Sequence, residues 1–475
     1  MATINQQTDE RIHGMTRAGI LLAFAALFSG VSVRAAEQPN IIFIFADDWG
    51  YGDLGIHGSD FCETPRLDRM AKQGIDFQNF TVDHPVCSPS RTAVMTGQFP
   101  ARHSVHQHFA TIAHHRRAGM PDWLDPQAPM LPRILRDAGY ATAHFGKWHL
   151  CNDQVPDGPM PPAYGYDEFG AFNLPSAATE QMPTAETCSR AVDFIKRHKD
   201  RPFFVNLWLH ETHTPHYPLE KHLKQFEHLN EQQQVYAAVV AEADAGVGSV
   251  LDALKECGID ENTLVIFSSD NGPERTGKKK EQDDVSTGPG LGSFYSVGET
   301  GKLKGRKRSL YAGGVRVPFI ARWPGVVPSG KTDRDSVLTA VDLLPTFATL
   351  AGATLPDGYQ PDGINIMSAL KGESFQRGLP IFWEWAPARN HPEMWPHQGI
   401  RDGKWKLLLN KKLGRAELYD IDTDWAETSD LSQAHPETVD QLTQQIDAWK
   451  KTLPTNPPES CFSKLRSEPA GSTSK

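Results

Sequence analysis

Asn40-Ile41-Ile42-Phe43-Ile44-Phe45-Ala46-Asp47-Asp48 is the stretch from which the architecture is read. After Asn40 the residues are apolar without alternation, and two acids follow at once. A strand with water on one face alternates apolar and polar side chains. An unbroken apolar run therefore marks a strand buried on both faces, as in a parallel sheet covered by helices. Outward from this run, strand signals recur at 140–145, 202–209, 263–268 and 317–323. Helix signals recur at 64–73, 131–138, 185–198, 231–257 and 341–351. Thr64-Pro65 supplies an N-cap and a first-turn proline for the first of these helices. The alternation predicts an α/β fold: a large, mostly parallel sheet sandwiched by helices.

The texture changes after Gly378. Short strand-like runs at 381–385, 399–401, 404–409 and 417–419 surround the hairpin signal Asp402-Gly403, and a last helix covers 437–452. The expected organisation is a catalytic domain over 36–378, a small C-terminal α+β domain (antiparallel sheet plus helix) over 379–455, and a flexible tail over 456–475. Residues 1–35 read as a signal peptide. Arg11, His13 and Arg17 precede an apolar run over 18–33, and small residues offer a cleavage site near Ala35. The run is shorter than the roughly 20 residues of a bilayer span, so no stable membrane anchor is expected and the location is periplasmic or secreted.

Composition narrows the class. Lys and Arg number 48 against 58 Asp and Glu, a net charge of −10, which argues against general nucleic-acid binding. Six cysteines in no CxxC pattern give no support to a structural zinc site and leave disulfide connectivity open.

Four polar clusters directly follow predicted strands: Asp47-Asp48, Lys147-Trp148-His149, His210 through His216, and Asp270-Asn271. Open α/β sheets bind ligands outside the carboxyl ends of their strands. Three carboxylates and an amide brought together would repel without a cation, and these hard oxygen donors suit calcium or magnesium. Cys87-Ser88-Pro89-Ser90-Arg91, with Thr96-Gly97 beyond, places a cysteine near the start of a short helix. There the positive end of the helix dipole is expected to lower a thiol pKa.

That segment closely resembles the signature of the type I, formylglycine-dependent sulfatases of the alkaline phosphatase superfamily. The other parts occur in the family's order: Ile44 through Asp53, Gly146-Lys147-Trp148-His149, Ser269-Asp270-Asn271-Gly272, Lys307 before Tyr311-Ala312-Gly313-Gly314-Val315-Arg316-Val317-Pro318, and Glu417-Leu418-Tyr419-Asp420. The resemblance implies that a formylglycine-generating enzyme converts Cys87 to formylglycine. One oxygen of the hydrated aldehyde attacks sulfur, and the other later expels sulfate. It implies one calcium ion on Asp47, Asp48, Asp270, Asn271 and modified Cys87. Arg91 and Lys147 would stabilise the modified residue, His149 would be the base that releases sulfate, and Lys307 would contact sulfate. His210, His213 and His216 compete as the acid for the leaving group. The family's spacing from the Phe203-Phe204 pair points to His213, although His216 also begins a His-x-Pro pattern. One departure stands at Ala312, where the family commonly has Glu, and it puts the support of Lys307 in question.

The implied activity is that of a secreted sulfatase cleaving a sulfate ester of a carbohydrate, with aryl sulfates as artificial substrates. The rivals are a formylglycine-dependent phosphodiesterase or phosphonate hydrolase, and a catalytically silent sulfated-glycan-binding homologue. Lys302, Lys304, Arg306, Lys307 and Arg308 form a basic cluster suited to attracting an anion. His103, His106, His108, His114 and His115 are expected mostly at the surface. Trp383, Trp385 and Trp395 are expected to pack the small sheet rather than stack on sugars.

Overall fold

The computed structural model describes residues 38–173, 184–274, 296–385 and 395–466. The signal-peptide reading and the final residues of the tail lie outside them. Asn40–Ala46 forms a strand at the centre of an eight-stranded sheet. From one edge the order is Glu168–Phe172, Ala141–Lys147, Phe203–Trp208, Asn40–Ala46, Thr263–Ser269, Phe319–Arg322, Ile75–Phe77 and Lys331–Asp333. The first five strands run parallel to one another.

The apolar run makes physical sense in this position. Ile41, Phe43 and Phe45 enter one core with the helices Cys87–Thr96, Leu131–Asp137 and Leu343–Leu350. Ile42, Ile44 and Ala46 enter the other with Pro65–Lys72, Thr184–His198 and Glu231–Glu256. Successive side chains point to opposite faces, and both faces are covered. Each large apolar side chain so buried contributes about 1.5–3 kcal/mol.

Two features of the sheet were not read from the sequence. Phe319–Arg322 runs antiparallel to both its neighbours. The short strands Ile75–Phe77, Glu168–Phe172 and Lys331–Asp333 carry too few residues to show a period.

The C-terminal strands Ile381–Glu384, Gln398–Asp402, Trp405–Asn410 and Arg415–Asp420 form an antiparallel sheet in chain order. Gly403, at φ +55°, makes the expected hairpin turn. The helix Pro436–Lys450 lies against this sheet. Phe382 stacks on Trp449 at 4.8 Å, and Phe99 meets both edge-on at 5.9 and 6.0 Å. Trp383 is fully buried and donates its indole N–H to Val82 O at 2.8 Å. The small sheet thus shares the core that also holds the Cys87–Thr96 helix. Trp395, half-buried, packs against the same core as expected; it also lies under the Arg415 guanidinium at 4.2 Å and donates to Tyr311 Oη at 2.7 Å.

The expected flexible tail is corrected over its first part. Cys461 is buried, Asp122 N donates to Cys461 O at 2.8 Å, and Trp123 Nε1 donates to Ser460 O at 3.0 Å. Ser463 N and Lys464 N donate to Asp122 and Asp157 at 2.9 and 3.0 Å. Polar composition suggested a loose end, but those polar groups are spent on specific hydrogen bonds. All six cysteines are free thiols. Among the described residues no helix is long and apolar enough to cross a membrane.

Candidate active site

Four neighbouring parallel strands end together. Gly146 pairs with Trp208, Phe45 with Trp208, and Ala46 with Ser269. The residues that follow therefore meet at one edge: Lys147, His210, Asp47-Asp48 and Asp270-Asn271. Close approach at this edge demands a glycine. A Cβ on Gly146, whose φ is +104°, would lie 2.0 Å from Trp208 O. Asp48 (φ +60°) and His149 (φ +53°) also adopt left-handed backbone, a cost of about 1–3 kcal/mol each that tends to gather at functional sites.

The Cys87–Thr96 helix closes the site from one face of the sheet and is buried throughout. Cys87 is its first residue. Arg91, one turn on, has no exposed side-chain surface. It donates to Asp270 Oδ2 at 2.7 Å, lies 3.6 Å from Asp47 Oδ1, and packs over Trp208 at 4.8 Å. Asp47 Oδ2 accepts from Lys147 Nζ and, at 2.7 Å, from His210 Nδ1. Asp48 Oδ1 accepts from Asn271 Nδ2 at 2.7 Å, and Asp48 Oδ2 from Lys307 Nζ at 2.6 Å.

Asp47, Cys87 and Asp270 each offer a ligand atom within 4.8 Å of the others. Asp47 Oδ1 and Asn271 Oδ1 are buried acceptors with no hydrogen-bond partner. Buried oxygens rarely stay unsatisfied, so both fit the direct coordination of a hard cation. The electrostatics agree. Burial pushes the Asp270 carboxyl up to about 8, and repulsion from Asp47 adds to it. Burial acts on Asp47 too, but Lys147, His213, His210 and Arg91 hold that carboxyl well below its usual range.

Cys87 Sγ lies 3.2 Å from His149 Nδ1. His149 Nε2 lies 3.0 Å from Phe109 O, and a carbonyl only accepts, so Nε2 carries the proton and Nδ1 is free to take one. Burial, then Lys147 and His108, hold His149 well below its usual pKa. The expected lowering of the Cys87 pKa is not observed. Burial raises it, outweighing the attraction of Lys147 and Lys307, because a fully desolvated thiolate is disfavoured more than the nearby positive charge can offset.

The three competing histidines separate cleanly. His210 is committed to Asp47. His216 is fully buried, 3.3 Å from Glu211 O and packed against the Tyr236 ring at 5.6 Å. His213 stacks on His210 at 4.9 Å and directs Nε2 to within 3.9 Å of Asp48 Oδ2. Its Nδ1 donates to Thr214 O at 2.6 Å, so Nε2 is the proton-exchanging atom.

Lys307 is buried in the site despite the substitution at Ala312. The Lys307 loop is packed by the two glycines beyond it: a Cβ on Gly314 would lie 2.0 Å from Ser309 O and 2.5 Å from Arg306 O. A carboxylate also reaches this point from elsewhere in the chain. Glu427 Oε2 accepts from Ala312 N at 2.7 Å while its Oε1 pairs with Lys406 Nζ at 2.5 Å. Sequence reasoning missed Glu427. It also missed Asn173, whose Oδ1 accepts from His149 N at 2.8 Å and fixes that strained residue. Neither sits in a motif that would have signalled it. The histidines after the nucleophile segment are corrected as well: none of His103, His106, His108, His114 and His115 is exposed, and buried His115 pairs with Asp122 at 2.8 Å.

The chain has clear relatives among known proteins. The family model described as Sulfatase matches residues 39–353, and that described as N-sulphoglucosamine sulphohydrolase, C-terminal, matches residues 298–452. The chain is 33% identical over 406 residues to N-acetylgalactosamine-6-sulfatase of Canis lupus familiaris, covering 77% of this chain and 72% of that one. It is 32% identical over 395 residues to arylsulfatase A of Homo sapiens, covering 74% and 71%. Among solved structures, Ps i-CgsB in complex with k-i-k-neocarrahexaose superposes with a TM-score of 0.74 at 28% identity, covering 90% of this chain and 95% of that one.

Proposed function

The chain belongs to the sulfatase family and is a sulfuric ester hydrolase; from that premise we propose that it removes sulfate from a sulfated glycan, using a formylglycine made from Cys87 and one calcium ion. The observation that carries the reading is the meeting of Cys87, the orphaned Asp47 and Asn271 oxygens, and Arg91, Lys147 and Lys307 at one strand edge. Asp47, Asp48, Asp270, Asn271 and residue 87 would hold the calcium, which supplies positive charge against the ester's oxygens. Formylglycine supplies a hydrated-aldehyde nucleophile for sulfur and a second hydroxyl for releasing sulfate.

The chain's own groups do the rest. Lys147 and Lys307, each fixed on a carboxylate, face the charge that builds as the S–O bond breaks. Arg91 locks Asp270 and holds the helix that carries residue 87. His213 in its imidazolium form, with Nδ1–H kept on Thr214 O, delivers the Nε2 proton to the departing alcohol and is left neutral, and His149 Nδ1 takes one from the hydroxyl on residue 87. Because Cys87, Ser88, Ser90 and Arg91 are buried, the maturating enzyme must act before this core closes. The reading of residues 1–35 supports export to the periplasm or the medium. The relatives support the glycan substrate: one is an N-acetylgalactosamine-6-sulfatase, and one solved neighbour holds neocarrahexaose.

The test is side-by-side turnover of sulfated oligosaccharides, aryl sulfates, phosphodiesters and phosphonates, with the mass of the Cys87 peptide measured on the same preparation. Sulfate release from a glycan with an aldehyde at position 87 is expected. Preference for the phosphorus esters, or full activity with an intact thiol, would overturn the proposal.

A further inference from the structure

From the floor of the site a line of alternating charges runs outward. Lys307 Nζ, 2.6 Å from Asp48 Oδ2, is 3.8 Å from Glu274 Oε2, and that same oxygen accepts from Arg308 Nη1 at 2.5 Å. Side-chain exposure climbs along the line, from 0% at Asp48 to 4% at Lys307, 12% at Glu274 and 56% at Arg308. Arg308 is therefore the solvent-exposed end of this line, joined to Lys307 through one carboxylate.

Its placement is enforced. Arg308 has φ +68°, a left-handed conformation costly for a residue with a side chain. Its N–H is held by Pro85 O at 2.9 Å, two residues before the nucleophile position. An exposed ion pair contributes little to stability by itself, so the pair with Glu274 does not account for the strain. His108 borders the same region, with its ring 6.2 Å from His149. Burial lowers its pKa to about 3, and His114, Lys307, Arg308 and Lys147 add to that, so it brings no positive charge of its own.

The charge balance points the same way. With a divalent cation bound, Asp47, Asp48 and Asp270 would all be ionised and offset Arg91, Lys147 and Lys307, and Glu274 offsets Arg308. A divalent cation leaves two positive charges, whereas a sulfate monoester carries a single negative one.

We propose that Arg308 is a specificity-determining residue that receives a second anionic group of the substrate, a sulfate or a carboxylate, on the sugar that carries the scissile sulfate or on its neighbour. Glu274 fixes one part of the guanidinium and leaves the exposed part of its fork to pair with two oxygens of the incoming group. The inference rests on the sulfatase reading above and adds the class of glycan.

The experiment compares wild type with Arg308→Gln and Arg308→Lys on 4-nitrophenyl sulfate, a monosulfated hexosamine, its disulfated counterpart, and the monosulfated hexosamine linked to a uronate. Calorimetry on the Cys87→Ala enzyme gives sugar affinities without turnover. Wild type should prefer at least one of the two dianionic sugars, and which one identifies the second group as sulfate or carboxylate. Arg308→Gln should raise KM and weaken calorimetric affinity for that sugar by about 10- to 100-fold, the range of a charge-assisted hydrogen bond. The two monoanionic substrates should change far less, and Arg308→Lys should recover part of the affinity, having the charge without the fork. Equal losses on all substrates would reduce Arg308 to a prop for Glu274 and Lys307 and overturn the assignment, as would a wild type indifferent to the second anion. Failure of wild type to cleave any sulfate ester would instead overturn the function on which the inference stands.

Discussion

Replacing His213 with alanine removes one ring and leaves the carboxylates, lysines and residue 87 in place. The structure sets what should follow. His213 Nε2 lies 3.9 Å from Asp48 Oδ2, and its Nδ1 proton is engaged by Thr214 O, so the loss removes the Nε2 that, in the imidazolium form, hands a proton to the leaving oxygen. A sugar alkoxide is a poor leaving group and needs that proton; a nitrophenolate hardly does. On a sulfated sugar the loss should be about 10²–10⁴-fold in kcat, the usual span for general acid catalysis, or roughly 3–5 kcal/mol of barrier. On a nitrophenyl sulfate it should be far smaller. His216→Ala should lower stability and leave the ratio between the two substrates alone, because His216 packs against Tyr236, away from the reacting atoms. His210→Ala should hurt both substrates alike. It strips Asp47 of a charge-assisted hydrogen bond of about 1.5–3 kcal/mol and so weakens the metal site. The assay is steady-state turnover of the three variants on both substrates, with a series of phenyl sulfates of graded leaving-group pKa. Equal loss on both substrates for His213→Ala, with leaving-group dependence appearing at His216, would refute the assignment.

Cys87→Ala should fold as the wild type does and lose turnover entirely; substantial residual activity, measured beside a circular dichroism melt, would remove the nucleophile assignment. Asn271→Ala takes away an orphaned buried oxygen, so elemental analysis should find less bound metal and activity should fall with it, whereas full activity in a metal-free preparation would contradict the oxygen-donor site. Glu427→Ala strands Lys406 in the core and frees the Ala312 N–H. Urea denaturation should report about 3–5 kcal/mol lost, with Glu427→Gln milder because it keeps an acceptor for that N–H. No change in the midpoint for either variant would show that this carboxylate does not brace the loop.

The main strands and helices, the central strand, and the chemistry gathered at four strand ends were legible in the residues themselves, whereas the short strands and the antiparallel direction of Phe319–Arg322 were not. Periodicity, caps and turn chemistry are local, and the unbroken apolar run of Ile41 through Ala46 has few physical alternatives to a doubly covered strand. The motifs carried Asp47, Asp48, Cys87, Arg91, Lys147, His149, Asp270, Asn271 and Lys307 to one site because parallel strands of matched register end at the same edge. Tertiary structure decided what depends on distance between remote segments. His213 and not His216 reaches the carboxylates, Asn173 fixes His149, Glu427 arrives at Ala312, and Glu459–Arg466 docks where polar composition suggested a loose end. It also reversed the sign expected for the Cys87 thiol. A helix terminus is written in the sequence, but the desolvation that outweighs it is created only when the two cores close around that helix.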